Sequence, residues 1–318
     1  MPAGLHIEYP DGGPDMNIIS GMRGLKYVGS FASGGSASKV FPDLIPDYPT
    51  YLMPYSAFRF IGSWVNGQIM LLSGYTVSGQ TVTQRYGGNN TSGGSFPGTV
   101  WQVDQSNPKS GLLVADTSDF TAISNGTALG FCVFRGTVTI NGSWTPPIPA
   151  GAIGVTVFAK FNSPGLTLLY TGGAVTSWGN NGDDTRRPAV TAKIVIFATG
   201  IEPTPQQGGL NMWNAKGQCT FSSGNRPFIT YGKTVKLTVG NQPTDGDMVQ
   251  LCCTGAGSRG QDQGNTQWTK GFGVSMGDGY VRAGWANEIS KDTDYYAADS
   301  TTYYVPGFSV LLIPDIYV

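Results

Sequence analysis

Charge is scarce in this sequence. Asp, Glu, Lys and Arg make up 12% of its 318 residues, about half the roughly 25% usual in soluble chains. Disorder is not implied, because it needs high net charge together with low hydrophobicity. Here the net charge is −1 and 40% of residues are hydrophobic. Basic clusters are also missing, the densest being Arg186-Arg187. A nucleic-acid partner is therefore excluded, since neutralising several phosphates takes a gathered basic face. There is one histidine, His6, so a Ser-His-Asp or Cys-His arrangement would have to recruit that residue, and no Gly-x-Ser-x-Gly elbow accompanies it. The four cysteines, Cys132, Cys219, Cys252 and Cys253, form no Cys-x-x-Cys. The adjacent pair would point to opposite faces of a strand. No metal site is expected, and the thiols are read as reduced core residues made in a reducing compartment. No run approaches 18 apolar residues, so no membrane-spanning helix is expected. The residues Met1–His6 carry neither the charged nor the apolar region of a secretion signal.

Helical periodicity is nearly absent, whereas strand and turn signals are dense. There are 47 glycines, with no three-residue period that would mark collagen. Gln68–Val77 leads through Ser78-Gly79 into Gln80–Tyr86 as a hairpin. Asn66-Gly67 and Asn141-Gly142 favour tight turns. Gly154–Phe161 and Leu166–Tyr170 flank Ser163-Pro164-Gly165, and Val190–Ala198 has the composition of a buried strand. Short strands at this spacing indicate an all-β fold of sandwiches or barrels. Gly87–Gly98 and Asn180–Pro188 read as polar loops. Glu202–Gly208, with two prolines among polar residues, has linker chemistry. It divides the chain into an N-terminal domain of residues 1–201 and a β-sandwich-like C-terminal domain of residues 209–318.

Both parts open alike. Gly4-Leu5-His6-Ile7-Glu8-Tyr9-Pro10-Asp11-Gly12 and Gly209-Leu210-Asn211-Met212-Trp213-Asn214-Ala215-Lys216-Gly217 share Gly-Leu-polar-apolar and a later glycine. Each predicts a short strand, a turn, and a second strand, near Met16–Ile19 and Cys219–Phe221. Lys193–Phe197 and Ser309–Ile313 close the two units in the same way. The pattern predicts one β module used twice, the first copy enlarged by a long insertion between Tyr55 and Ile140.

The second copy continues into Phe221-Ser222-Ser223-Gly224-Asn225-Arg226-Pro227. This opening, a Gly-Leu hairpin followed by Phe-x-Ser and Arg-Pro, resembles that of small tail-tip and minor tail proteins of tailed bacteriophages, especially siphophages. The first copy departs from it, with Tyr9-Pro10 for Asn-Ala and Gly21-Met22-Arg23 near the place of Arg-Pro. The resemblance covers about 20 residues at each opening. It implies a virion component at the distal end of a phage tail, assembled in the host cytoplasm. Its partners would be other tail-tip or baseplate proteins, further copies of itself (a trimer first), and a host-surface glycan or protein. It brings no catalytic residue and no cofactor.

Chemistry-bearing clusters are few. The acidic groups Asp116 with Asp119, Asp183-Asp184, Asp245 with Asp247, and Asp292 with Asp294 lie among turn formers, where Asp serves local backbone bonding. A glycan-degrading enzyme would need two of them about 5–9.5 Å apart; that activity, or a free carbohydrate-binding module, is the alternative function. Asn180, Asn181, Asp183 and Asp184 offer hard oxygen ligands for calcium without EF-hand spacing. Aromatic residues beside polar loops give the better binding signal: Tyr86, Phe96 and Trp101 around the first loop, Trp178 near the second, and Tyr295, Tyr296, Tyr303 and Tyr304. In each Tyr-Tyr pair a regular strand turns one ring outward. Trp64 and Trp285 are expected in the core. The chain is thus expected to be a non-catalytic structural or binding protein.

Overall fold

A computed structural model describes residues 4–9, 11–19, 22–61, 68–88, 94–103, 111–115, 120–124, 129–180, 186–261, 266–292, 300–305 and 308–318. The protein is all-β, with no helix among the described residues. Every strand ladder among them is antiparallel, as short strands joined by Gly-rich turns require.

Ala189–Thr199 shows how composition sets the core. Its first half alternates, with Val190, Ala192 and Ile194 buried and Thr191 exposed. From Val195 onward both faces are apolar and both are covered. Ile194 and Ile196 enter one hydrophobic cluster, while Val195 and Phe197 enter another on the opposite face. This strand lies in a six-stranded sheet ordered Phe131–Asn141, Ala189–Thr199, Ile153–Lys160, Met248–Gln250, Ser309–Ile313 and Thr234–Lys236. A larger sheet runs Ser143–Trp144, Ala174–Gly179, Leu166–Thr171, Thr266–Gly277, Gly255–Gln261 and Ser300–Tyr304, with Tyr280–Asp292 also paired to Thr266–Gly277. The Ser163-Pro164-Gly165 turn, closed by Leu166 N–H on Ser163 O at 2.9 Å, carries the chain from the first of these sheets to the second. Three two-stranded hairpins, among them Gly111–Ala115 with Phe120–Ser124, and two four-stranded sheets complete the described strands. One four-stranded sheet orders Ile229–Thr230, Arg23–Phe31, Gly98–Val103 and Thr50–Pro54; the other holds Ser38–Val40, Thr81–Gly88, Gln68–Ser78 and Phe58–Ile61. The expected 68–86 hairpin is present, turning at Gly79 with φ +56°.

The segment 202–208 does not separate two self-contained cores, which corrects the division expected at that point. Phe158 pairs with Gln250, Leu168 with Val274, and Ile229 with Gly24, so three sheets take strands from both sides. Both large hydrophobic clusters do the same. Nor does the segment hang free. Glu202 Oε1 accepts Cys219 N–H at 2.7 Å, and Gln206 N–H donates to Asn211 Oδ1 at 2.9 Å. Side-chain bonds to backbone outweigh the stiff, solvated character that its prolines suggested.

Both openings form hairpins, the first with the longer turn. Gly4–Ile7 pairs with Met16–Ile19, and Asn211–Trp213 pairs with Cys219–Ser222. Their turn glycines correspond, Gly12 at φ +71° and Gly217 at φ +78°. A Cβ would strain either position, which accounts for glycine at the same place in both copies.

All four cysteines are free. Burial pushes the Cys132 thiol up to about 12 and raises those of Cys219, Cys252 and Cys253 as well. Thiolate is the reactive form. The native protein is therefore expected to react negligibly with a thiol-exchange dye at pH 8 over minutes, and all four thiols to react at once in denaturant. Rapid labelling of the native chain would contradict this burial.

Candidate functional site

The aromatic residues singled out from the sequence part company in the fold. Phe96 and Trp101 are fully buried, so neither presents its ring to solvent. The ring of Trp101 meets Tyr27 and Phe228 edge-on at 5.5 and 5.1 Å. Tyr86 is half-buried against Phe96 at 6.0 Å. Trp178 is buried beneath the Arg187 guanidinium, 4.2 Å from the ring centre. Tyr303 is exposed and leans on Trp285 at 5.8 Å; Trp285 itself is in the core, as expected. Tyr304 lies on a strand but its side chain is outside the described residues, as are Tyr295, Tyr296 and Trp64 altogether. Among the described positions only Tyr303 is exposed.

Sequence reasoning missed two exposed aromatics, Tyr231 and Trp213, the latter 48% exposed beside Leu210 at 41%. For Trp213 the signal was available in the repeat itself. Trp213 occupies the place of Glu8 in the first copy, and Glu8 also points outward. An apolar ring thus stands where the other copy keeps a charge.

The two openings meet through the Arg-Pro stretch. The Arg226 guanidinium donates to Asp11 through Nη1–Oδ2 at 2.8 Å and Nη2–Oδ1 at 3.1 Å, a bidentate pair. It also donates to Pro14 O at 3.2 Å and lies 3.6 Å from the Tyr9 ring centre. Arg135 Nη2 reaches the same Asp11 oxygen at 2.9 Å while its Nη1 donates to Tyr317 O. Arg226 is buried, whereas the Asp11 side chain is 48% exposed. Hydrogen bonds from Arg226 above all, with Arg135 and Gly13 N–H assisting, hold the Asp11 carboxyl well below the usual carboxylate range against the opposing effect of desolvation. Beneath this cluster the buried Tyr317 hydroxyl donates to Pro227 O at 2.9 Å and accepts Ile229 N–H at 3.0 Å. The Arg-Pro of the second copy is therefore a clasp on the turn of the first. In the second hairpin Lys216 stands at the place of Asp11, and no clasp forms there.

The remaining candidates have other occupations. His6 accompanies Asn17 across the first hairpin at 2.7 Å, with the carboxylates of Glu8 and Asp15 at 3.6 and 4.0 Å. The Asn17 hydrogen bond above all raises its pKa against desolvation, with those carboxylates assisting. No hydroxyl or thiol nucleophile stands among these neighbours. Asn180 spends its oxygen on Trp285 N–H at 2.9 Å and its amide on Ser275 Oγ at 3.1 Å. It therefore pins strands together, while the other proposed calcium ligands, Asn181, Asp183 and Asp184, lie outside the described residues. Asp245 and Asp247 share Lys233 at 3.5 Å each. Asp116, Asp119 and Asp294 are outside the described residues, and the Asp292 side chain likewise.

Fold and clasp together define an antiparallel β protein in which the second opening is bonded to the turn of the first. The chain belongs to DUF6453, a family of unknown function, which it matches over residues 4–294. That span contains both hairpins and the segment between them. No curated protein and no solved structure matches the chain.

Proposed function

We propose that this protein is a non-catalytic structural component of a bacteriophage tail tip, contributing to tail-tip assembly and to attachment at the host surface as a homo-oligomer, a trimer first. The observation that carries the proposal is the duplicated Gly-Leu hairpin with its Arg-Pro clasp. The residues most similar to tail-tip proteins are the ones that organise this fold around Asp11, Arg226 and Pro227. The second hairpin turns Trp213 and Leu210 outward, giving an apolar edge for a neighbouring tail protein. Low charge and exposed aromatic rings suit a particle component that works through contact rather than through titrating groups.

Labelling purified virions with antibody to this chain, followed by cryo-electron microscopy, tests the proposal. Label at the distal end of the tail is expected. Its absence from intact virions would end the tail-tip reading. Trp213→Ala is expected to weaken incorporation into tails without lowering the thermal midpoint of the isolated protein.

A further inference from the structure

Away from the hairpins, a cleft of about 730 Å³ opens between the solvent face of the six-stranded sheet and two turns, Thr244–Gly246 and Gly277–Gly279. The turns are tied to each other by Thr244 N–H on Gly279 O at 3.0 Å. We infer that this cleft is a saccharide-binding site taking a short, neutral oligosaccharide.

The walls carry donors and acceptors in fixed places. Lys160 Nζ is held by Gly246 O at 2.7 Å and Asp315 Oδ2 at 2.9 Å. Lys193 Nζ is held by both Asp315 oxygens, at 3.2 and 3.3 Å, and by Val318 O at 2.9 Å. Both lysine side chains stay more than a third exposed and line the cleft. Thr137 and Thr191 add exposed hydroxyls on the same sheet face. Across from them Asp278 is exposed, and its carboxylate has no partner among the described residues. The volume falls within the roughly 300–1,000 Å³ of small-molecule sites.

Charge then selects the ligand class. A phosphate or sulfate would meet two lysines that share the Asp315 carboxylate, in a lining whose carboxylates Asp245, Asp278 and Asp315 outnumber them. A metal ion would meet two ammonium groups, and the described residues contain no cluster of three metal-ligating side chains. An apolar ligand would bury the Asp278 carboxylate without a partner, which is costly. A polyhydroxyl ligand fits, because each hydroxyl both donates and accepts and can bridge ammonium on one wall to carboxylate on the other. The two lysines are held before any ligand arrives, which lowers the ordering cost of binding. This inference deepens the attachment half of the proposed function and rests on it only for the biological source of the sugar.

The test is an array of defined oligosaccharides (neutral, uronic-acid and amino-sugar types) probed with the purified full chain, with hits titrated calorimetrically. Saturable binding of a neutral oligosaccharide is expected. It should be weakened about tenfold by Asp278→Asn, the loss of one charge-assisted hydrogen bond, and abolished by Thr191→Trp, which fills the cleft from an exposed position. Both variants should keep the wild-type thermal midpoint. No retention of any neutral oligosaccharide, or binding that both variants leave unchanged, overturns the inference. Because the assay uses isolated protein, its failure leaves the virion-labelling result untouched, and the converse also holds.

Discussion

Phe228→Ala should lower the unfolding free energy by about 3–5 kcal/mol, the usual cost of deleting a fully buried phenylalanine. Phe228 follows the Arg-Pro clasp directly and is fully buried. Its ring stacks on Phe197 at 4.0 Å with an interplanar angle of 4°. Trp101 and Phe158 meet it edge-on at 5.1 and 5.6 Å. These four rings come from strands and loops on both sides of 202–208, so the cavity would open where the two lengths of chain are joined. Surrounding aromatic rings are rigid and refill a void poorly, which puts the cost in the upper part of the range. Urea unfolding, with the slope compared between variants, checks the value. A loss under 1 kcal/mol would show that the ring cluster is not the joint described here.

Asp11→Asn is expected to have the second largest effect. Removing the carboxylate charge leaves Arg226 buried and uncompensated, for which about 3–5 kcal/mol is typical when both partners are buried. Because Asp11 is half exposed, solvent screening lowers the expectation to about 2 kcal/mol. The pH dependence has a definite sign. The folded-state pKa of Asp11 is depressed, so its contribution is whole above the unfolded carboxylate value of about 3.9 and declines as pH falls below it, through the folded value. The gap between wild type and variant should thus be constant from pH 5 to 8 and narrow steadily below pH 4. A gap that instead grows on acidification would assign the stabilisation to another group.

Much of the local structure was legible because its causes are local. The hairpin at Ser78-Gly79, the two opening hairpins and the buried strand 189–199 each follow from alternation and turn residues over a dozen positions. Pairing between distant strands has no such local code. Nothing in Ile153–Lys160 announces that Met248–Gln250 lies beside it, and the prolines of 202–208 imitate a linker although Glu202 and Gln206 bind the hairpin that follows. The candidate site was less legible still. Loop-flanking aromatics were expected at the surface, but Phe96 packs against Tyr86, and Trp101 against Tyr27 and Phe228, so both rings are buried. Asp11 was legible as a turn former and Arg226 as part of a motif. Their partnership, 215 residues apart, belongs to the tertiary structure alone. Lys193 and Lys160 gave no signal, since isolated lysines on outward strand faces are ordinary.

The interleaving of strands also sets an order of events during synthesis. Ile153–Lys160 pairs with Ala189–Thr199 on one side as soon as both have left the ribosome, but its other side is filled by Met248–Gln250. That strand in turn rests on Ser309–Ile313. Until residues near 313 emerge, the growing chain carries an open sheet edge with unpaired N–H and C=O groups, the feature that invites pairing with other chains. High sequence separation between partners makes closure slow. Where many copies are made side by side, the interval before closure is when one nascent chain can borrow a strand from its neighbour.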